Sequence, residues 1–134
     1  MQAVKNYTVL LVDDSHIVQK AFSALLNDFK GIKVVCAFSG EEALDIFNRF
    51  TPELTVLDIQ LPGINGLELL KRIKLNHPEA KVIVNTNNPS SAYRNRALNL
   101  GCSMFIDKSK EFTNILNFID VELKMLKSKG VELL

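Results

Sequence analysis

The feature that most constrains this chain is a switch of hydrophobic period, made five times along 134 residues. Each time, a short run of β-forming apolar residues gives way to a stretch with apolar residues at helical spacing. The first run, Tyr7–Val12, leads into a helix from Ser15 to Phe29 with Val18, Phe22, Leu25 and Phe29 on one face, closed by Gly31. The second, Ile32–Phe38, is followed by Ser39-Gly40-Glu41-Glu42, which reads as a capping box, and by Ala43, Phe47 and Phe50 at helical spacing. The third, Leu54–Leu57, passes through the loop Gln60-Leu61-Pro62-Gly63 to a helix that Asn65 and Glu68 open and that buries Leu67, Leu70 and Ile73. The fourth, Lys81–Asn85, precedes a shorter helix from Ser90 to Leu100, with Tyr93, Ala97 and Leu100 aligned and Gly101 at its end. The fifth, Ser103–Asp107, precedes a helix from Glu111 to about Lys127 that carries Phe112, Ile115, Ile119, Leu123 and Leu126 on one face.

Each unit is 22 to 27 residues long, enough for one strand and one helical crossover. Strands that alternate with helices form a parallel sheet covered on both faces, so the fold class is α/β. A chain of this length holds one domain; its core spans about 7–127, and 128–134 is expected to be a short tail with no further domain after it. The composition, 47% hydrophobic and 23% charged with a net charge of +1, offers no basic stripe for a phosphate backbone or a membrane surface. The longest apolar run, Val34–Phe38, is five residues, too short to span a bilayer. Met1–Val12 does not read as a signal peptide, because its apolar stretch is short and ends in Asp13 and Asp14. Cys36 and Cys102 are too few for a disulfide scaffold and read as small buried residues, so a reducing cytoplasm is the expected compartment.

The strand ends carry the chemistry. The first ends in Asp13-Asp14, the third in Asp58, the fourth in Thr86 and the fifth in Lys108. In an open parallel sheet, ligands bind beyond the carboxyl ends of the strands, so these residues meet in one cleft. Three carboxylates pressed together repel and raise one another's pKa, and a cation relieves this. Oxygen-only donors suit Mg²⁺. Lys108 adds a compact positive charge for a phosphate, and Thr86 adds a hydroxyl. Metal, lysine and hydroxyl together match the charge spread over a transferring phosphoryl group, and one aspartate is then its acceptor, forming an acyl phosphate.

The segments Leu10-Leu11-Val12-Asp13-Asp14-Ser15 and Leu57-Asp58-Ile59-Gln60-Leu61-Pro62-Gly63-Ile64-Asn65-Gly66, with Thr86 and Lys108, resemble the receiver domain of two-component response regulators. The resemblance runs from about Tyr7 to Lys127. It implies a flavodoxin-like, doubly wound, five-stranded parallel sheet of order 2-1-3-4-5 with five helices. It also implies that Asp58 takes a phosphoryl group from a histidine kinase or phosphotransfer protein. Asp14, Asp58 and the Gln60 carbonyl would hold Mg²⁺ directly, with Asp13 acting through water, and Lys108 would pair with Asp58 or its phosphate. Thr86 and Phe105 would act as the switch pair, changing a surface of the fourth helix, fifth strand and fifth helix that binds a downstream protein. The resemblance implies a signalling domain that modifies itself, monomeric before activation, rather than a turnover enzyme, with no direct contact to nucleic acid or membrane.

Two positions depart from the family pattern. Asn87 stands after Thr86 where the family has a very small residue, and Ser109 stands after Lys108 where it has proline, leaving either a trans loop or a serine cap on the last helix. A module of the same fold working without phosphorylation is the first rival. An Mg²⁺-dependent aspartyl phosphatase is the second, but it wants another aspartate two residues after the nucleophile, where Gln60 stands after Asp58 and His16 after Asp14. His16 reads as a solvated first-turn residue, His77 as a helix end, and Tyr93, Arg94 and Arg96 as a solvated helix face.

Overall fold

In the computed structural model, which describes residues 3–134, the chain runs β1 (Ala3–Lys5), β2 (Tyr7–Val12), α1 (His16–Leu26), β3 (Ile32–Ala37), α2 (Gly40–Phe50) and β4 (Leu54–Leu57), followed by α3 (Gly66–Asn76), β5 (Lys81–Thr86), α4 (Ser91–Asn99), β6 (Met104–Asp107), α5 (Phe112–Ser128) and β7 (Val131–Leu133). Five strands form one parallel sheet in the order β3-β2-β4-β5-β6, the order expected for the five strand–helix units.

Successive strand residues point to opposite faces, and that alternation builds two cores. Leu10, Val12, Leu57 and Val84 pack with Phe47, Leu70 and Ile73 on one face. Val9, Leu11, Val56 and Ile83 pack with Phe22, Leu26, Ile115 and Ile119 on the other. Side-chain caps start four of the helices: Ser15 accepts from Val18 N, Ser39 from Glu42 N, Asn65 from Glu68 N and Ser90 from Tyr93 N, each bond satisfying an orphan amide. His77 closes α3. No helix among the described residues is long and apolar enough to cross a membrane.

The structure corrects three details. On α1 the inward face is Gln19, Phe22 and Leu26, while Leu25 is exposed, because the helix ends at Leu26 and its inward stripe is rotated by one residue. Phe50 is exposed at the end of α2, with the Lys33 ammonium 5.3 Å from its ring centroid. Cys36 is half-buried, whereas Cys102 is buried.

The termini also form structure. β1 and β7 pair in parallel as a separate two-stranded sheet, with Ala3 opposite Val131 and Lys5 opposite Leu133. Leu133 is buried in the second core, and Gly31 has no side chain because a Cβ there would stand 2.5 Å from that of Leu133. The stretch expected as a tail therefore ends in a packed strand.

Candidate functional site

Val12 and Leu57 are paired neighbours at the ends of β2 and β4, so the next residues, Asp13 and Asp58, leave the sheet side by side. Their backbones are tied to the adjoining strands: Asp13 N donates to Ala37 O at 3.1 Å and Asp58 N to Val12 O at 3.0 Å. At the far side of the sheet, Lys108 N donates to Thr86 O at 2.9 Å, which starts the lysine side chain from the end of β6. That side chain reaches back across the sheet. Its Nζ lies 2.5 Å from Asp13 Oδ2 and 2.7 Å from Asp58 Oδ2, so these two oxygens are within about 5 Å of each other. The remaining carboxylate oxygens hold their own loops: Asp13 Oδ1 accepts from Ser15 N at 2.9 Å and Asp58 Oδ1 from Gln60 N at 3.2 Å.

Gly66, at the start of α3, lets that helix press on the Asp58 backbone; a Cβ there would meet Asp58 O at 2.1 Å. Asp13 and Asp58 are both buried. Burial alone would push the Lys108 ammonium down, but hydrogen bonds and charge from Asp13 and Asp58 outweigh it, and its pKa stands above the ordinary lysine value.

The other expected members are placed differently. Asp14 is exposed, and among the described residues its carboxylate has no hydrogen bond or ion pair. Gln60 is also exposed, at the rim. Among the described residues no three His, Cys, Asp or Glu groups converge as a metal cluster. Two buried carboxylates thus meet on one ammonium while the third stands outside. The donor set of three aspartates and a backbone carbonyl is all oxygen and fits a hard divalent cation.

Thr86 is fully buried, and its hydroxyl accepts from Asn88 N at 3.1 Å; no hydrogen bond joins it to Asp58 or Lys108. Phe105 is also buried, under the Arg94 guanidinium, which lies 5.0 Å from the ring centroid. Arg94 on α4 is thus exposed but packed on an aromatic, beyond the solvated role expected for it. Asn87 is exposed.

The described residues contain no cis peptide, so Lys108–Ser109 is trans. Ser109 does not cap α5. Its N–H and hydroxyl donate to Asp107 Oδ1 at 3.0 and 2.7 Å, which holds that carboxyl below its usual range, hydroxyl bond first. Glu111 closes the turn instead, its Oε1 accepting from Asp107 N at 3.0 Å. His16 stays out of the cluster, its ring stacked 4.3 Å from that of Phe38.

Two residues beneath the site had no site role in the sequence pattern, Asn85 being only a strand end there. Gln19 and Asn85 are buried polar side chains that share a small cavity with Asp13 and Asp58. The available signal was one amide on the apolar face of a helix and one inside the run Val82-Ile83-Val84-Asn85.

With this geometry in view, comparisons with known proteins are informative. The family model of the response regulator receiver domain matches residues 9–120. The chain is 38% identical over 117 residues to the protein-glutamate methylesterase/protein-glutamine glutaminase of Desulfotalea psychrophila, covering 85% of this chain and 32% of that protein. It is 31% identical over 112 residues to response regulator GacA of Pseudomonas viridiflava, covering 83% and 52%. The chain therefore spans from a third to about half the length of these two relatives. Among solved structures, a CheY-like response regulator receiver domain protein from Methanospirillum hungatei superposes with a TM-score of 0.82 at 27% identity, covering 94% of this chain and all of that one.

Proposed function

The chain belongs to the response regulator receiver domain family, and from that premise we propose that Asp58 is a phosphoryl acceptor serving a histidine kinase or phosphotransfer protein. The observation that carries this reading is the sharing of the Lys108 ammonium between Asp13 and Asp58, at 2.5 and 2.7 Å. The half-buried Lys108 ammonium, reaching across β5 to the carboxylate that follows β4, fixes that carboxylate in place, as a nucleophile needs.

In the proposed step, a carboxylate oxygen of Asp58 attacks phosphorus. A P–O bond forms, the phosphohistidine P–N bond breaks, and the electron pair leaves with the imidazole. The product is an acyl phosphate. Lys108 follows the negative charge from the carboxylate to a phosphoryl oxygen, and the Thr86 hydroxyl turns from Asn88 N to the phosphoryl group. Asp14, Asp58 and the Gln60 carbonyl would hold Mg²⁺, with Asp13 supporting the ion through water, and the ion would supply positive charge against the phosphoryl oxygens. Asp14 is exposed and has no hydrogen bond or ion pair among the described residues, so it can turn in without breaking one of them.

Output is proposed to pass through the α4, β6 and α5 surface to a protein partner, with Phe105 reporting the state of Thr86. The chain modifies itself and is monomeric before activation. The methylesterase name of one relative belongs to a protein of which this chain covers 32% and brings no such activity here.

Intact mass tests the reading. After incubation with acetyl phosphate, the wild type with Mg²⁺ is expected to gain one phosphoryl group, while Asp58→Asn, or the wild type with EDTA, gains none. Equal uptake by Asp58→Asn would refute it.

A further inference from the structure

Beneath Asp13 and Asp58 lies a cavity of about 10 Å³, walled also by Gln19, Phe22, Val56 and Asn85. Its polar walls are unusual for their place. Asn85 follows Ile83 and Val84 on a central strand and is 4% exposed; Gln19 on the inward face of α1 is equally buried. The Gln19 nitrogen is fully committed, donating to the carbonyls of Leu11, Asp13 and Ala37 at 2.9, 3.2 and 2.9 Å. This pins α1 to the ends of β2 and β3, at the backbone of Asp13. Among the described residues, the Gln19 Oε1 and Asn85 Oδ1 atoms, both buried, have no hydrogen-bond partner.

Two amide oxygens are both acceptors and cannot satisfy each other. An unpaired buried acceptor is costly, so each calls for a donor. One water carries two donors, and the cavity is near the lower bound for holding one, roughly 10–15 Å³. We propose that this cavity is the seat of a single internal water that donates to Gln19 Oε1 and Asn85 Oδ1, and that Gln19, Asn85 and this water together position Asp13 and Asp58 from below. Asn85 directly precedes Thr86, so the unit joins α1, the acidic cluster and the β5 end in one hydrogen-bonded set. The water site stands on its own; its effect on phosphoryl transfer rests on the Asp58 reading.

A crystal structure of the full chain fine enough to show ordered water, with Gln19→Met, Asn85→Val and the double variant alongside, decides it. The wild type is expected to show density within ~2.7–3.2 Å of both amide oxygens, lost in Asn85→Val. Phosphoryl uptake from acetyl phosphate is expected to slow roughly tenfold in either single variant. The double variant is expected to be no slower than the slower single one, because both act through one unit. A positioning role moves this rate at unchanged phosphoryl stoichiometry, which a purely structural role leaves alone. A dry wild-type cavity, or a flipped Asn85 amide donating straight to Gln19 Oε1, overturns the site. Unchanged rates, or rate losses that multiply in the double variant, overturn the positioning role. Water on both oxygens in a chain that takes up no phosphoryl group upholds the site and removes the Asp58 reading alone.

Discussion

The two ends of the sheet use the same bonds to opposite purpose. At the amino end, Lys81 Nζ pairs with Glu122 of α5 at 2.6 Å, and the buried Tyr7 hydroxyl donates to the same carboxylate at 3.2 Å. One carboxylate, one ammonium and one neutral phenol balance, and the terminal strands β1 and β7 are tied in nearby through Gly31 and Leu133. At the carboxyl end, one ammonium serves two buried carboxylates, with a third exposed beside them. Balanced charge makes a lock. Excess carboxylate, held in place and open at the rim, leaves net negative charge, which in the proposed reading draws in a cation that then offsets the charge of a phosphoryl group.

This contrast breaks most sharply at the two lysines. Lys108→Met is expected to slow phosphoryl uptake from acetyl phosphate about a hundredfold, since it removes a preorganised charge from the transition state. Lys81→Met is expected to leave that rate alone and to cost at most about 1 kcal/mol, because Lys81 is half exposed. Measuring uptake rates and urea midpoints of both variants checks the pair; a slowed Lys81→Met would collapse the distinction. Next in size, Leu133→Ala should destabilise the fold by about 2 kcal/mol or more, from the loss of a buried leucine, with uptake per folded molecule unchanged.

The smallest effects concern the titrations. Burial, then the charge of Glu122, raises the Tyr7 phenol far above its ordinary value. A raised folded pKa means that the unfolded chain gives up its proton first as pH climbs. Stability tied to Tyr7 is therefore complete below about pH 10 and falls as pH rises above it. The Lys108 shift has the same sign, so the site also contributes to alkaline loss. Tyr7→Phe should cost about 1 kcal/mol at neutral pH and flatten the decline above pH 10 in urea titrations. A decline of undiminished slope would remove the phenol from the account.

Much of this was legible in the chain. Apolar runs that end in aspartate, threonine or lysine mark both the strands and the site, because a parallel sheet delivers its strand ends to one edge. Ser15, Ser39, Asn65 and Ser90 announce their helices, since a cap is a local bond between near neighbours. What stayed hidden is non-local. Ala3–Lys5 and Val131–Leu133 are too short to show a period, and each is a strand only because of the other. The standing apart of Asp14 and the inward turn of Gln19 and Asn85 depend on packing that no spacing rule encodes. Nor does sequence say that Ser109 bonds Asp107 while Glu111 closes the turn.

The most direct measurement finds which residue carries the phosphoryl group. An acyl phosphate is reduced by borohydride to an alcohol, so treatment after loading with acetyl phosphate and Mg²⁺ converts the acceptor aspartate to homoserine, which peptide mass spectrometry can place. The account predicts homoserine at position 58 and unchanged aspartate at 13, 14 and 107. Homoserine at any of those three with Asp58 intact, or phosphate on a side chain at the amino end of the sheet, would contradict it.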